Sequence, residues 1–179
     1  MMVRISLAAA LVLALIGCGE KEPVAVEPAA PVVASEPAAA PAASARRVDA
    51  TAFTKFVPWP SASPDVIKSG TGMEYVVLAS GPDSGVAPTA AQQAEVFYEG
   101  RLNADGTTFD SAFDRGESAT FPVAAVVPGF SEALQMMKPG DRWLVYIPSE
   151  LGYGAQGTPG GPIPPDAALV FEIEMVGVK

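Results

Sequence analysis

Residues 94–109 read AEVFYEGRLNADGTTF, and this stretch decides the fold. Val96 and Tyr98 alternate with Phe97 and Glu99, so successive side chains leave opposite faces of an extended strand over Ala94–Leu102. Asn103-Ala104-Asp105-Gly106 is a turn sequence, since Asn, Asp and Gly tolerate backbone angles that other residues resist. Thr107–Phe109 then returns antiparallel. Working outward, Met73–Leu78, Ala119–Val123, Arg142–Ile147 and Leu169–Val176 are also strand-like, with Phe171, Ile173 and Met175 sharing one face. One clear helix is expected over Pro128–Met137, where Ala133, Leu134, Met136 and Met137 give an apolar side and Lys138-Pro139-Gly140 stops it. Gly152–Pro165 is a Gly- and Pro-dense loop. The total predicts an α+β domain, an antiparallel sheet of five or six strands covered by one short helix.

Composition removes several chemistries. The 179 residues include no histidine and one cysteine, so Ser-His-Asp and Cys-His catalysis, histidine-ligated zinc and an intrachain disulfide are excluded. A formal net charge of −9 argues against nucleic acid as a partner. Asp110, Asp114, Glu117 and Asp141 could suggest a paired-carboxylate hydrolase. Their turn positions near Arg115 and Arg142 instead make them solvated surface charges.

All 14 aromatic residues lie at or after Phe53, so the first 52 residues lack large core-forming rings. Arg4 precedes Ile5–Ile16, an apolar run interrupted only by Ser6. Spanning a membrane takes roughly 20 apolar residues, so the run suits a secretory signal over residues 1–17. It ends in Leu15-Ile16-Gly17-Cys18, which resembles the lipobox of bacterial lipoproteins and implies acylation of Cys18; the alternative is a plain signal peptide with an incidental cysteine. Gly19, where an Asp would hold such a protein at the inner membrane, favours the periplasmic face of the outer membrane. Residues 19–45 hold ten alanines, five prolines and four glutamates. With Cys18 they form an expected disordered segment, either a tether or a plain spacer. Residues 46–64 are transitional: Asp49 is a candidate cap for a short helix carrying Phe53 and Phe56, which with Trp59 are expected to dock on the domain of residues 65–179, the alternative being that they bind a partner.

Four patches carry a wider resemblance. They are Val96-Phe97-Tyr98-Glu99-Gly100; Gly106-Thr107-Thr108-Phe109-Asp110-Ser111; Val127-Pro128-Gly129-Phe130 with Glu132-Ala133-Leu134; and Gly152-Tyr153-Gly154 with Ile163-Pro164-Pro165 and Leu169-Val170-Phe171. In this order and spacing they resemble the FKBP family, macrolide-binding immunophilins that isomerise X–Pro peptide bonds. The resemblance implies an FKBP-like half-barrel sheet wrapped on one short helix. It also implies catalytic roles for Tyr98, Asp110 and Tyr153, and substrate binding by Phe109, Phe121, Val126, Val127, Phe130, Ile163 and Phe171. Tyr153 would offer its hydroxyl and Val127 its backbone N–H to substrate carbonyls. Asp110 would sit at the rim paired with Arg115, and Ile163 in a loop overhanging the site. Phe130 stands where the best-known members have Trp, and Ala119 replaces a wall aromatic. No cofactor or metal is implied. The expected partners are proline-containing exported polypeptides and macrolide inhibitors; the alternative is a non-catalytic chaperone or binding module on the same fold.

Mass spectrometry of the mature N-terminus tests the anchor. Diacylated Cys18 is expected as the first residue, and palmitate labelling that persists in Cys18→Ser overturns the assignment.

Overall fold

A computed structural model describes residues 48–179; the signal, Cys18 and residues 19–45 lie outside the described residues. Seven strands form one antiparallel sheet: β1 (Ile67–Lys68), β2 (Glu74–Ala79), β3 (Gln93–Leu102), β4 (Thr108–Ser111), β5 (Ala119–Pro122), β6 (Arg142–Ile147) and β7 (Leu169–Val178). Their order is β1-β2-β6-β7-β3-β4, with β5 pairing with β3 alongside β4. Among the described residues three α-helices accompany them, α1 (Ala50–Phe56), α2 (Ala112–Arg115) and α3 (Pro128–Met136), with three short 3-10 turns. The fold is α+β.

The long central pair sets the arrangement. β3 and β7 run antiparallel from Ala94↔Val178 to Leu102↔Leu169. Alternation along β7 sends Phe171, Ile173 and Met175 to one face and Val170 and Glu172 to the other. The inner face meets α3, whose Phe130, Ala133 and Leu134 are buried against it. Pro128 opens this helix at a position where its missing N–H costs nothing. Gly129 lets the helix approach the sheet, because a Cβ there would lie 2.6 Å from Ile147 Cγ2. The helix ends as Met137 turns extended and donates its N–H to the Ala133 carbonyl (3.0 Å), just before Pro139.

The outer face has its own cover. Asp49 caps α1 by accepting the Thr51 and Ala52 N–H groups at 3.0 and 3.1 Å. Phe53, Phe56 and Trp59 then pack on Val76, Leu144 and Val170, with Phe53 only 1% exposed. Trp59 stacks near Tyr146 and donates its indole N–H to Glu74 at 2.8 Å. The Asp49 N–H donates to the carboxylate of Glu172, which is fully buried and also paired with Arg142. Burial pushes the Glu172 carboxyl up, against the opposing pull of Arg142 and the Asp49 N–H.

The structure adds elements that the sequence pattern does not announce. β1 has two residues and α2 four, both shorter than the span over which periodicity becomes visible. One charge assignment is corrected. Asp141 is not a solvated surface carboxylate but is 3% exposed, and its partner is Lys138 (2.8 Å) rather than Arg142. Its oxygens accept the Gly81 and Lys138 N–H groups at 2.7 and 2.9 Å. Burial works against its charge, yet Lys138 and these donors hold its carboxyl below the usual range.

Phe53→Ala is expected to cost about 3–5 kcal/mol, the range for emptying a buried aromatic site. Urea unfolding of the chain measures it, and a loss below about 1 kcal/mol would show that α1 is not packed on the sheet in solution.

Candidate functional site

Five rings from five strands and helices meet on the inner face at the end of the sheet where α3 begins. Tyr98 comes from β3, Phe109 from β4, Phe121 from β5, Phe130 from α3 and Phe171 from β7. Phe130 is the hub. Its ring lies 6.1 Å from Tyr98, 6.2 Å from Phe121 and 5.1 Å from Phe171, all edge-on, at 81°, 80° and 75°. Tyr98 also meets Phe121 at 5.5 Å, and Phe109 meets Phe171 at 5.5 Å. Edge-to-face packing suits the ring quadrupoles; in this cluster, the aromatic cup, Tyr98, Phe130 and Phe171 are buried, and Phe109 and Phe121 are half-buried at its edge. Gly100 makes room for it: a Cβ there would lie 2.4 Å from the Phe109 ring and 2.7 Å from that of Phe171.

The polar rim is built on neighbouring strands. Gly100↔Asp110 is a β3–β4 pair, which brings the Asp110 carboxylate within reach of Tyr98. The Tyr98 hydroxyl donates to Asp110 Oδ2 in a short hydrogen bond. Arg115, at the end of α2, bonds Asp110 Oδ1 at 2.5 Å and reaches the Tyr98 hydroxyl at 3.3 Å. The Arg115–Asp110 pair is half open to solvent, so its net contribution to stability is small. Its consequence is orientation: both carboxylate oxygens are occupied. Burial first, then the Asp110 carboxylate, push the Tyr98 phenol well above its ordinary range, with Arg115 pulling the other way.

The other expected residues come from the segments that lead into α3 and β7. Val126 and Val127 are half-buried on the approach to α3. Val127 is the N-cap residue of α3, so its N–H is one that the helix cannot use. Tyr153 is 39% exposed, and burial followed by the Asp110 charge raises its phenol too. Ile163 is 4% exposed and packs in the inner core. Pro159–Pro162 form an exposed tip tied at its base by Thr158. The Thr158 N–H donates to the Ile163 carbonyl (2.9 Å) and its hydroxyl accepts the Ile163 N–H (3.0 Å). Ala119, on β5, pairs with Val96 and packs against the inner core. Sequence reasoning found the Asp110–Arg115 pair but not the Tyr98–Asp110 bond, which depends on strand register.

Chemically the cup offers a water-poor aromatic surface, two protonated phenols and a neutralised carboxylate. It presents no activated nucleophile. Among the described residues no cluster of His, Cys, Asp or Glu is arranged to hold a metal ion.

Comparison with known proteins agrees with this geometry. The FKBP-type peptidyl-prolyl cis-trans isomerase family model matches residues 85–176. The peptidyl-prolyl cis-trans isomerase Mip of Coxiella burnetii is 46% identical over 116 residues, covering 65% of this chain and 49% of that protein. The outer membrane protein MIP of Legionella longbeachae is 40% identical over 116 residues, covering 65% and 48%. A solved peptidyl-prolyl cis-trans isomerase from Pseudomonas syringae superposes with a TM-score of 0.62 at 36% identity, covering 72% of this chain and 92% of that one. With its aromatic cup, paired rim and matching domain, the chain belongs to the FKBP-type peptidyl-prolyl cis-trans isomerase family. It spans about half the length of the two curated Mip relatives.

Removing the Asp110 charge tests the rim electrostatics. A raised phenol means that the folded state holds the Tyr98 proton more tightly, an advantage present below the phenol's ordinary pKa and lost as pH rises toward the folded value. Asp110→Asn is therefore expected to move Tyr98 ionisation to lower pH in a tyrosine-labelled NMR titration. An unmoved or higher titration overturns the assignment.

Proposed function

We propose that this chain accelerates cis/trans isomerisation of X–Pro bonds in proline-containing polypeptides of the bacterial cell envelope. The observation that carries the reading is the Phe130-centred cup with Tyr98, Asp110 and Arg115 locked together at its rim. Isomerisation of a peptide bond meets a barrier of about 18–20 kcal/mol because rotation breaks amide resonance. The twisted amide is less charge-separated than the planar one. An apolar cup withdraws the water that stabilises the planar form and so favours the twisted form. Each ~1.4 kcal/mol of this preference gives about a tenfold rate increase.

In this reading the proline ring sits against Phe130, between Tyr98, Phe121 and Phe171, with Phe109, Val126 and Ile163 closing the walls. The Tyr153 hydroxyl and the Val127 N–H hold substrate carbonyls, which fixes the flanking peptide while the X–Pro bond turns. Tyr98 and Asp110 act by shape and dipole. Their mutual bond keeps the carboxylate from drawing water into the cup. Both phenols are raised, so they stay protonated and able to donate through neutral and mildly alkaline pH. Macrolides would compete for the same cup.

The names of the relatives support an envelope location, since one is an outer membrane protein. We place the chain at the periplasmic face of the outer membrane, held through acylated Cys18.

A protease-coupled proline-peptide assay on the full chain tests the reading. Wild type is expected to accelerate the slow phase, with Asp110→Ala and Tyr153→Phe each reducing kcat/KM about tenfold. No acceleration at micromolar protein would leave a chaperone-like binding module as the function. Full activity in both variants would overturn the site assignment.

A further inference from the structure

Strand alternation places two parallel rungs across β3 and β4. Tyr98 and Asp110 meet on the inner face; their chain neighbours Glu99 and Ser111 meet on the outer one. Glu99 is 2% exposed and fully engaged. Its Oε2 accepts the Ser111 hydroxyl at 3.0 Å, and its Oε1 accepts from Arg101 Nε and Nη2 at 2.7 and 2.6 Å. The Ser111 oxygen in turn accepts the Asp114 N–H at 3.1 Å, capping α2. That helix is one turn long, and Arg115 is its last residue. A four-residue helix has almost no intrinsic stability, so its position depends on its cap and its packing.

We infer that Glu99 and Ser111 are positioning residues: they fix α2 so that Arg115 holds Asp110 against Tyr98. The inference rests on the isomerase reading for its kinetic consequence, and on the geometry alone for its structural one. Ser111 can cap α2 in one orientation only, because its own proton is committed to Glu99. Glu99 is held in turn by Arg101, whose guanidinium lies 4.1 Å over the Phe53 ring of α1. The rim of the cup is thereby tied, through the thickness of the sheet, to the helix on its far side.

The test uses the full chain with Ser111→Ala, Ser111→Thr and Glu99→Gln. In 15N NMR of arginine side chains, wild type is expected to show an exchange-protected Arg115 guanidinium signal. Ser111→Ala should lose that protection and lower kcat/KM about threefold to tenfold, while Ser111→Thr, which keeps the hydroxyl, restores both. In an Arg115→Leu background the further loss from Ser111→Ala should vanish, which a general loosening of the fold would not produce. An unchanged Arg115 signal in Ser111→Ala, or the same activity loss with and without Arg115, overturns the proposal. Should Ser111→Ala fail to fold, Glu99→Gln decides: an Arg115 signal and rate equal to wild type overturn it. If wild type itself shows no isomerase activity, the Arg115 signal still tests the positioning role by itself.

Discussion

The ladder between β3 and β7 decides which side chains of this protein can meet. It is the longest pairing in the sheet, and every other strand except β1 and β2 bonds directly to one of its two members. Because the side-chain period is two, a one-residue slip would turn Phe171, Ile173 and Met175 to the wrong face. Phe171 would leave the cup and Glu172 would enter it. The buried ties of Glu172 to Asp49 and Arg142 on the outer face oppose that slip, as does the apolar packing on the inner one. Burying a carboxylate without partners is prohibitive, so this single residue acts as a register mark.

The two faces of the sheet divide the labour. The inner face supplies the apolar floor and the aromatic cup, where polar groups appear only at the rim. The outer face concentrates the buried charges: Glu74, Glu99 and Glu172, each satisfied by a side chain or backbone from elsewhere in the chain. This segregation fits a reaction that depends on a dry pocket. Glu99 and Glu172, which tie the strands together, lie on the side away from the aromatic cluster.

Much of the fold was legible from the sequence because its main elements are long or sharply bounded. Arg142–Ile147 carries an unbroken β-prone run. The helix over Pro128–Met136 has Pro at its start and Pro-Gly beyond its end. Asp49 is a good cap, so α1 could be placed even within an ambiguous stretch. The cup residues were legible only as a set, since Phe109, Phe121 and Phe171 singly look like ordinary core. What stayed hidden depends on contacts across the sheet. Nothing in the order Tyr98-Glu99 and Asp110-Ser111 says that these dipeptides lie opposite one another with a bulge beside them. Asp141 was misjudged for a similar reason: a turn carboxylate looks solvated until the chain at Gly81 closes over it. Gly81 and Gly140 approach so closely that a Cβ on Gly81 would lie 2.1 Å from the Pro139 carbonyl oxygen, a long-range contact invisible in local pattern.

The docking of α1 has a practical corollary for handling the protein. The chain enters the domain at Asp49, on the face of the sheet away from Phe130 and Phe171. A resin linker, a fluorophore or a fused carrier joined upstream of Val48 therefore attaches beside α1 and its tie to Glu172, not to a strand that carries one of the rings. The C-terminal strand offers no such freedom. Lys179 closes the ladder with Gln93 in a reciprocal pair of backbone hydrogen bonds. A rigid fusion at that end would pull on the strand that carries Phe171.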